Sequence, residues 1–202
     1  MPEALKRLIQ SIWYLPGIWE NRATKLAFFL LNSNKNFIEN LSNDIKNIKD
    51  KVDSCEICHW LTDKWQNKCN ICISRNRDKT TIAVVEEYLD LLTIEQSGWF
   101  TATYHVLGWA ISPINGVFIW DLNFETLFTR IVDADTKIEL ILSMNPNIEG
   151  EATINYIKEE IEKRKLKHKV TLTRLSRWLS SGYIEYADNV TLMNAMKERR
   201  EV

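Results

Sequence analysis

All four cysteines of the 202-residue chain fall between positions 55 and 72. Cys55-Glu56-Ile57-Cys58 and Cys69-Asn70-Ile71-Cys72 are two CxxC pairs ten residues apart. At that spacing each pair offers two thiolates to one tetrahedral ion, and no position is left for water. The chemistry expected is therefore one structural Zn2+ per chain, holding a module too small for a core of its own. A redox pair of the thioredoxin type would need a single CxxC after a strand. His59 is a possible competing donor, but four sulfurs suffice.

A second set of residues is acidic. Val84-Val85-Glu86-Glu87 ends a short β-branched run with a carboxylate at the C-terminal edge of a strand, where α/β sheets carry chemistry. Far downstream, Asn145-Pro146-Asn147-Ile148-Glu149-Gly150-Glu151 follows another strand and opens a helix. Carboxylates in a first helical turn are expected on dipole grounds alone. Glu86, Glu149 and Glu151 thus read first as helix caps or partner-facing groups, and second as holders of a weakly bound ion.

A third set is basic. Leu15-Pro16-Gly17-Ile18 joins two helical segments, the second bearing Arg22 and Lys25, and residues 1–35 hold five Lys or Arg against Glu3 and Glu20. Backbone N–H groups at such a turn and helix start can face a phosphate. With 26 basic and 27 acidic residues in the whole chain, nucleic-acid binding needs a local patch of this kind. A Pro-Gly turn between helices is as readily mere packing. The run Lys163 to Lys169 reads as a solvated helix end, and His105 as a hydrogen-bonded core or loop histidine. The chain has no glycine-rich phosphate loop followed by Lys and Ser or Thr, which argues against ATP use.

These groups need elements to position them. Apolar spacing predicts helices over residues 3–13, 20–32 and 37–52, with Ala23, Leu26, Ala27, Leu30 and Leu31 facing inward. Strands are predicted over 80–85, 101–107, 137–142 and 168–173, with helices over 86–95 and 149–164. Such alternation implies a mostly parallel sheet covered by helices, so the fold class is α+β with several modules. Module limits are set at 1–53, 54–76, 77–174 and 175–202. No apolar run reaches the ~18 residues that cross a bilayer, and the N-terminus lacks a signal peptide, so no membrane association and a cytoplasmic location are expected.

The pairing of Glu86 with the Asn145 segment resembles a Toprim domain, in which a Glu and an Asp-x-Asp bind magnesium for phosphoryl transfer. Asn145 and Asn147 stand in the two Asp places here, and neutral amides are poor ligands for a hard dication. The order of helix-hairpin-helix, four-cysteine zinc finger, Toprim domain and C-terminal segment resembles the bacterial RecR family, as do the strings Tyr104-His105-Val106-Leu107-Gly108, Glu149-Gly150-Glu151-Ala152-Thr153 and Glu185-Tyr186-Ala187-Asp188. The resemblance implies a non-enzymatic, nucleoid-associated DNA-repair factor. It implies a ring-shaped homotetramer on gapped DNA that works with RecO and RecF to load RecA onto SSB-coated strands. The family's DNA-contacting positions fall on Asn21 and Lys25; Lys25 keeps its charge, and Arg22 is the substitute for Asn21. The alternative is a magnesium-dependent Toprim nuclease or primase-like enzyme, against which the two amides speak.

The chain holds 6 glycines and 8 tryptophans, and together they make up the roughly 7% share that glycine alone usually has. Trp19, Trp109, Trp120 and Trp178, with Trp60 and Trp99, stand where RecR proteins generally carry glycine. The pattern suggests UGA codons decoded as glycine in the source organism. An indole at Trp19 is expected to strain a hairpin that needs backbone freedom.

Overall fold

The computed structural model describes residues 1–176 and 183–202; Trp178 lies outside the described residues. The chain divides into two compact units, Met1–Lys51 and Val52–Val202.

The first unit is helical: α1 (Glu3–Trp13), α2 (Glu20–Asn32) and α3 (Lys35–Lys51). The turn between α1 and α2 closes through the Ile18 N–H donating to the Leu15 carbonyl at 3.2 Å, with Gly17 at φ +75°, in the left-handed region that glycine enters freely. Only Ala23 and Ala27 are fully buried in these helices. Leu26 and Leu31, expected inward, are 38% and 63% exposed. The reason is size: three helices of about fifty residues enclose too little volume to cover every apolar stripe.

In the second unit β1 (Val52–Ser54) and β2 (Leu61–Asp63) form an antiparallel pair, and α4 (Asn70–Ile73) follows. The main sheet comprises β3 (Asp78–Val85), β4 (Ala102–Val106), β5 (Ile138–Ser143), β6 (Val170–Arg174) and β7 (Arg200–Glu201) in the order β4-β3-β5-β6-β7. The first four are parallel and β7 runs against them. The crossovers are α5 (Tyr88–Gln96), α6 (Phe124–Val132) and α7 (Ile148–Lys163), and α8 (Asn189–Lys197) precedes β7.

Strand alternation splits the core into two layers. Ala83 and Val85 pack with Leu91 and Ile94 of α5, with Leu192 and Met196 of α8, and with the cysteines. Ile82 and Val84 point the other way, onto Phe124, Leu127 and Phe128 of α6 and Ile154 and Ile157 of α7. α5 begins at Tyr88, two residues later than the pattern suggested, because Glu86 and Glu87 are held in an extended turn by a capping box between Glu87 and Asp90.

Candidate functional site

Cys55 follows β1 and Cys58 lies three residues on, while Cys69 stands at the N-cap of α4 and Cys72 within it. All four are buried and their Sγ atoms lie within 4.8 Å of one another, with Cys58 to Cys69 at 3.5 Å. Metal–sulfur bonds of about 2.3 Å in a tetrahedron set sulfurs about 3.8 Å apart, so the cluster fits one ion. Among the described residues it is the one group of this kind. Contact between Cys58 and Cys69 pushes the Cys58 thiol up and pulls the Cys69 thiol down, so the two crowded sulfurs hold one proton between them. His59 is not part of the set: its Nε2 donates to Thr126 Oγ1 at 2.6 Å, since that hydroxyl spends its own proton on the Asn123 carbonyl.

The knuckle is joined to the sheet. The Val106 N–H on the outer edge of β4 donates to the Cys58 carbonyl at 2.8 Å. The His59 and His105 rings meet edge to face, with centroids 5.4 Å apart. His105 is fully buried, its Nε2 donates to the Asn123 carbonyl at 2.8 Å, and burial holds it down to about 3, so it is neutral.

At the C-terminal end of β3, Glu86 is 4% exposed. Its Oε1 accepts the Asn145 backbone N–H at 2.9 Å and its Oε2 the Asn145 side-chain amide at 2.6 Å. The Asn145 Oδ1 in turn accepts the Ile184 N–H at 3.1 Å. Asn147 caps α7, its Oδ1 accepting the Gly150 N–H at 2.7 Å. Glu86, Asn145, Asn147 and Glu149 therefore line one cleft of about 240 Å³, which Glu87, Asp90 and Glu185 also reach. Glu151 does not join them; it pairs with Arg174 of β6, which donates from Nη1 at 3.0 Å. Burial raises Glu86 and Glu87 and lifts Asp90 to about 7. Among the described residues no three of these carboxylates bring oxygens close enough for one ion. The place of a second carboxylate beside Glu86 is taken by an amide that saturates it.

Arg22 and Lys25 are exposed on α2, three residues apart and so on one face. Trp13, Tyr14 and Trp19 around the hairpin are also exposed. Trp19 sits at φ −87° in extended backbone, so the strain expected of an indole there is absent.

Residues 80–176 match the Toprim domain model. Over its full length the chain is 39% identical to recombination protein RecR of Lactococcus lactis subsp. lactis, covering 98% of that protein. It is 38% identical to RecR of Desulforapulum autotrophicum, over 98% of this chain and 97% of that one. It is 40% identical to RecR of Herpetosiphon aurantiacus, over 100% of this chain and 96% of the relative. On the four-cysteine cluster, the Toprim sheet and full-length identity, the chain belongs to the RecR family of recombination proteins.

Proposed function

We propose that this chain is a non-enzymatic recombination mediator that grips DNA through Arg22 and Lys25 and, with RecO and RecF, promotes loading of RecA onto SSB-coated gapped DNA. The observation that carries the non-enzymatic part is the Asn145 amide on Glu86, which occupies the position a magnesium-binding carboxylate would need. Cys55, Cys58, Cys69 and Cys72 hold one structural Zn2+, whose chemistry is to cross-link the knuckles; S4 donor sets of this spacing favour zinc. Modules at 1–53, 54–76, 77–174 and 175–202 divide the labour. Assembly is a homotetrameric ring. Exposed apolar groups on the helical unit, among them Phe29, Leu31, Ile45 and Ile48, support self-association. In a ring, weak phosphate contacts repeat around the DNA, so the chain needs no strongly basic net charge. Glu149 and Glu185 offer the cleft as an acidic face for a protein partner.

The test is a mobility shift on gapped DNA as salt rises, with and without RecO. Binding should weaken steeply with salt, and Lys25→Glu should weaken it at every salt concentration and flatten the dependence. Salt-independent binding, an unaffected Lys25→Glu variant, or magnesium-dependent cleavage or synthesis by the purified protein would overturn the reading.

A further inference from the structure

Arg130 lies on α6, on the sheet face opposite the main cysteine-bearing core, yet its side chain runs to the outer edge of β4. Its Nη1 donates to the Tyr104 carbonyl at 2.7 Å and to His105 Nδ1 at 3.3 Å, and its Nη2 reaches Thr103 Oγ1 at 3.4 Å. His105 can accept because its proton sits on Nε2, bound to the Asn123 carbonyl. No carboxylate pairs with Arg130 among the described residues. A half-buried guanidinium satisfied only by neutral acceptors is costly unless a negative field compensates it.

The cysteine centre lies along the same edge: the Tyr104 carbonyl that Arg130 holds and the Val106 N–H that holds the Cys58 carbonyl both face outward from β4, two residues apart. Burial pulls the Arg130 guanidinium down, and the groups that push it back up are Cys72, Cys58, Cys55 and Cys69. Four thiolates around one divalent ion leave about two negative charges in excess. A centre of that charge in a low-dielectric setting attracts a fixed cation strongly. The carrier is in place: Cys58 binds β4 through Val106, His59 packs on His105, and Arg130 holds His105 and the carbonyl before it.

We propose that Arg130 is the counter-charge of the four-sulfur centre, a positioning residue that raises the affinity of the cysteines for their metal while fastening the knuckle to the edge of the sheet. The proposal rests on the metal site assigned above. His105 serves as the spacer that keeps the guanidinium aimed, and for that purpose it must stay neutral.

Two variants separate charge from hydrogen bonding. Arg130→Gln keeps a donor toward Tyr104 and loses the charge; Arg130→Lys keeps the charge and loses the fork. Zinc content and zinc affinity are read by competition with a chromogenic chelator on the full-length protein, beside the charge-transfer band of the cobalt-substituted form. Arg130→Gln should lose metal affinity by about 10- to 100-fold, as outer-shell changes do, and shift the thiolate-to-cobalt band to lower energy. Arg130→Lys should stay near wild type in both. If Arg130→Gln fails to fold, saturating zinc should restore folding by mass action. Equal affinity of Arg130→Gln and wild type, a greater loss in Arg130→Lys than in Arg130→Gln, or failure of zinc to rescue an unfolded variant overturns the proposal. Wild-type protein that binds no metal at all would instead refute the four-cysteine site.

Discussion

Changing Asn145 to Asp restores the acidic residue that a magnesium-dependent Toprim enzyme would carry, and the geometry fixes what that must do. The side-chain amide now 2.6 Å from Glu86 Oε2 becomes an oxygen, and two carboxylates at that separation cannot both ionise. Burial already raises Glu86, and the Asn145 hydrogen bonds oppose the rise. In Asn145→Asp the opposing side-chain bond vanishes and a like charge is added, so the pair holds one proton well above the pH, about 4, at which free carboxyls release theirs. The folded state then binds more protons than the unfolded one, and stability falls as pH rises through the folded value. Each tenfold tightening of the proton is worth about 1.4 kcal/mol. A buried pair tightened a hundred- to a thousandfold therefore loses about 3–4 kcal/mol between about pH 4 and pH 8. Urea unfolding of both proteins at about pH 4 and about pH 8 measures this directly. Near-equal stability is expected at the acidic end and a large gap at the alkaline end, narrowed by magnesium in the variant alone. Parallel pH profiles for the two proteins would refute the reasoning.

Asp90, lifted to about 7 by burial, should behave in the same sense: its contribution is complete below about pH 4, falls as pH rises from about 4 to 7, and is lost above that. Asp90→Asn keeps an acceptor for the Glu87 N–H, so its thermal melts should cross those of wild type and exceed them above neutrality by roughly 2 kcal/mol. Gly150→Ala would set a Cβ 2.0 Å from the Asn145 carbonyl oxygen and 3.1 Å from Glu86 Oε1. A helical Gly→Ala change ordinarily stabilises by about 1 kcal/mol, whereas here chemical denaturation should show a loss of about 2–4 kcal/mol. Intact-mass measurement of the protein from its native host should fall below the value for eight tryptophans, by glycine-for-tryptophan steps; a mass matching all eight ends the UGA interpretation.

Periodicity carried the local elements well. α1 and α2 lie where Leu5, Leu8, Ile9 and Ala23, Ala27 placed them, and β3, β5 and β6 differ from expectation by a residue or two. α6, not among the predicted elements, is legible in the sequence: Phe124, Leu127, Phe128 and Ile131 step by three and four, and all four are buried. α8 lies in the C-terminal segment, where the apolar spacing predicts no element, although Asp188 before Val190 and Thr191 is an ordinary N-cap. β1, β2 and β7 are two or three residues long, too short for any period to register. At the site, the cysteine spacing and the amides at 145 and 147 were readable. The separation of Glu151 from Glu86 was not, because it depends on Arg174 arriving from a strand some twenty residues later. Arg130 left no signal either: its meaning comes from β4 and the knuckle, whose proximity is a property of the folded sheet.

A parallel sheet built in the order found here ends on β4, and the backbone there would ordinarily present unpaired donors and acceptors to any strand passing by. Instead the Val106 amide is already taken by Cys58. The four-cysteine knuckle is thus a stopper on that end of the sheet edge. Unfolding the knuckle should therefore open the Val106 end of β4 to pairing with another strand.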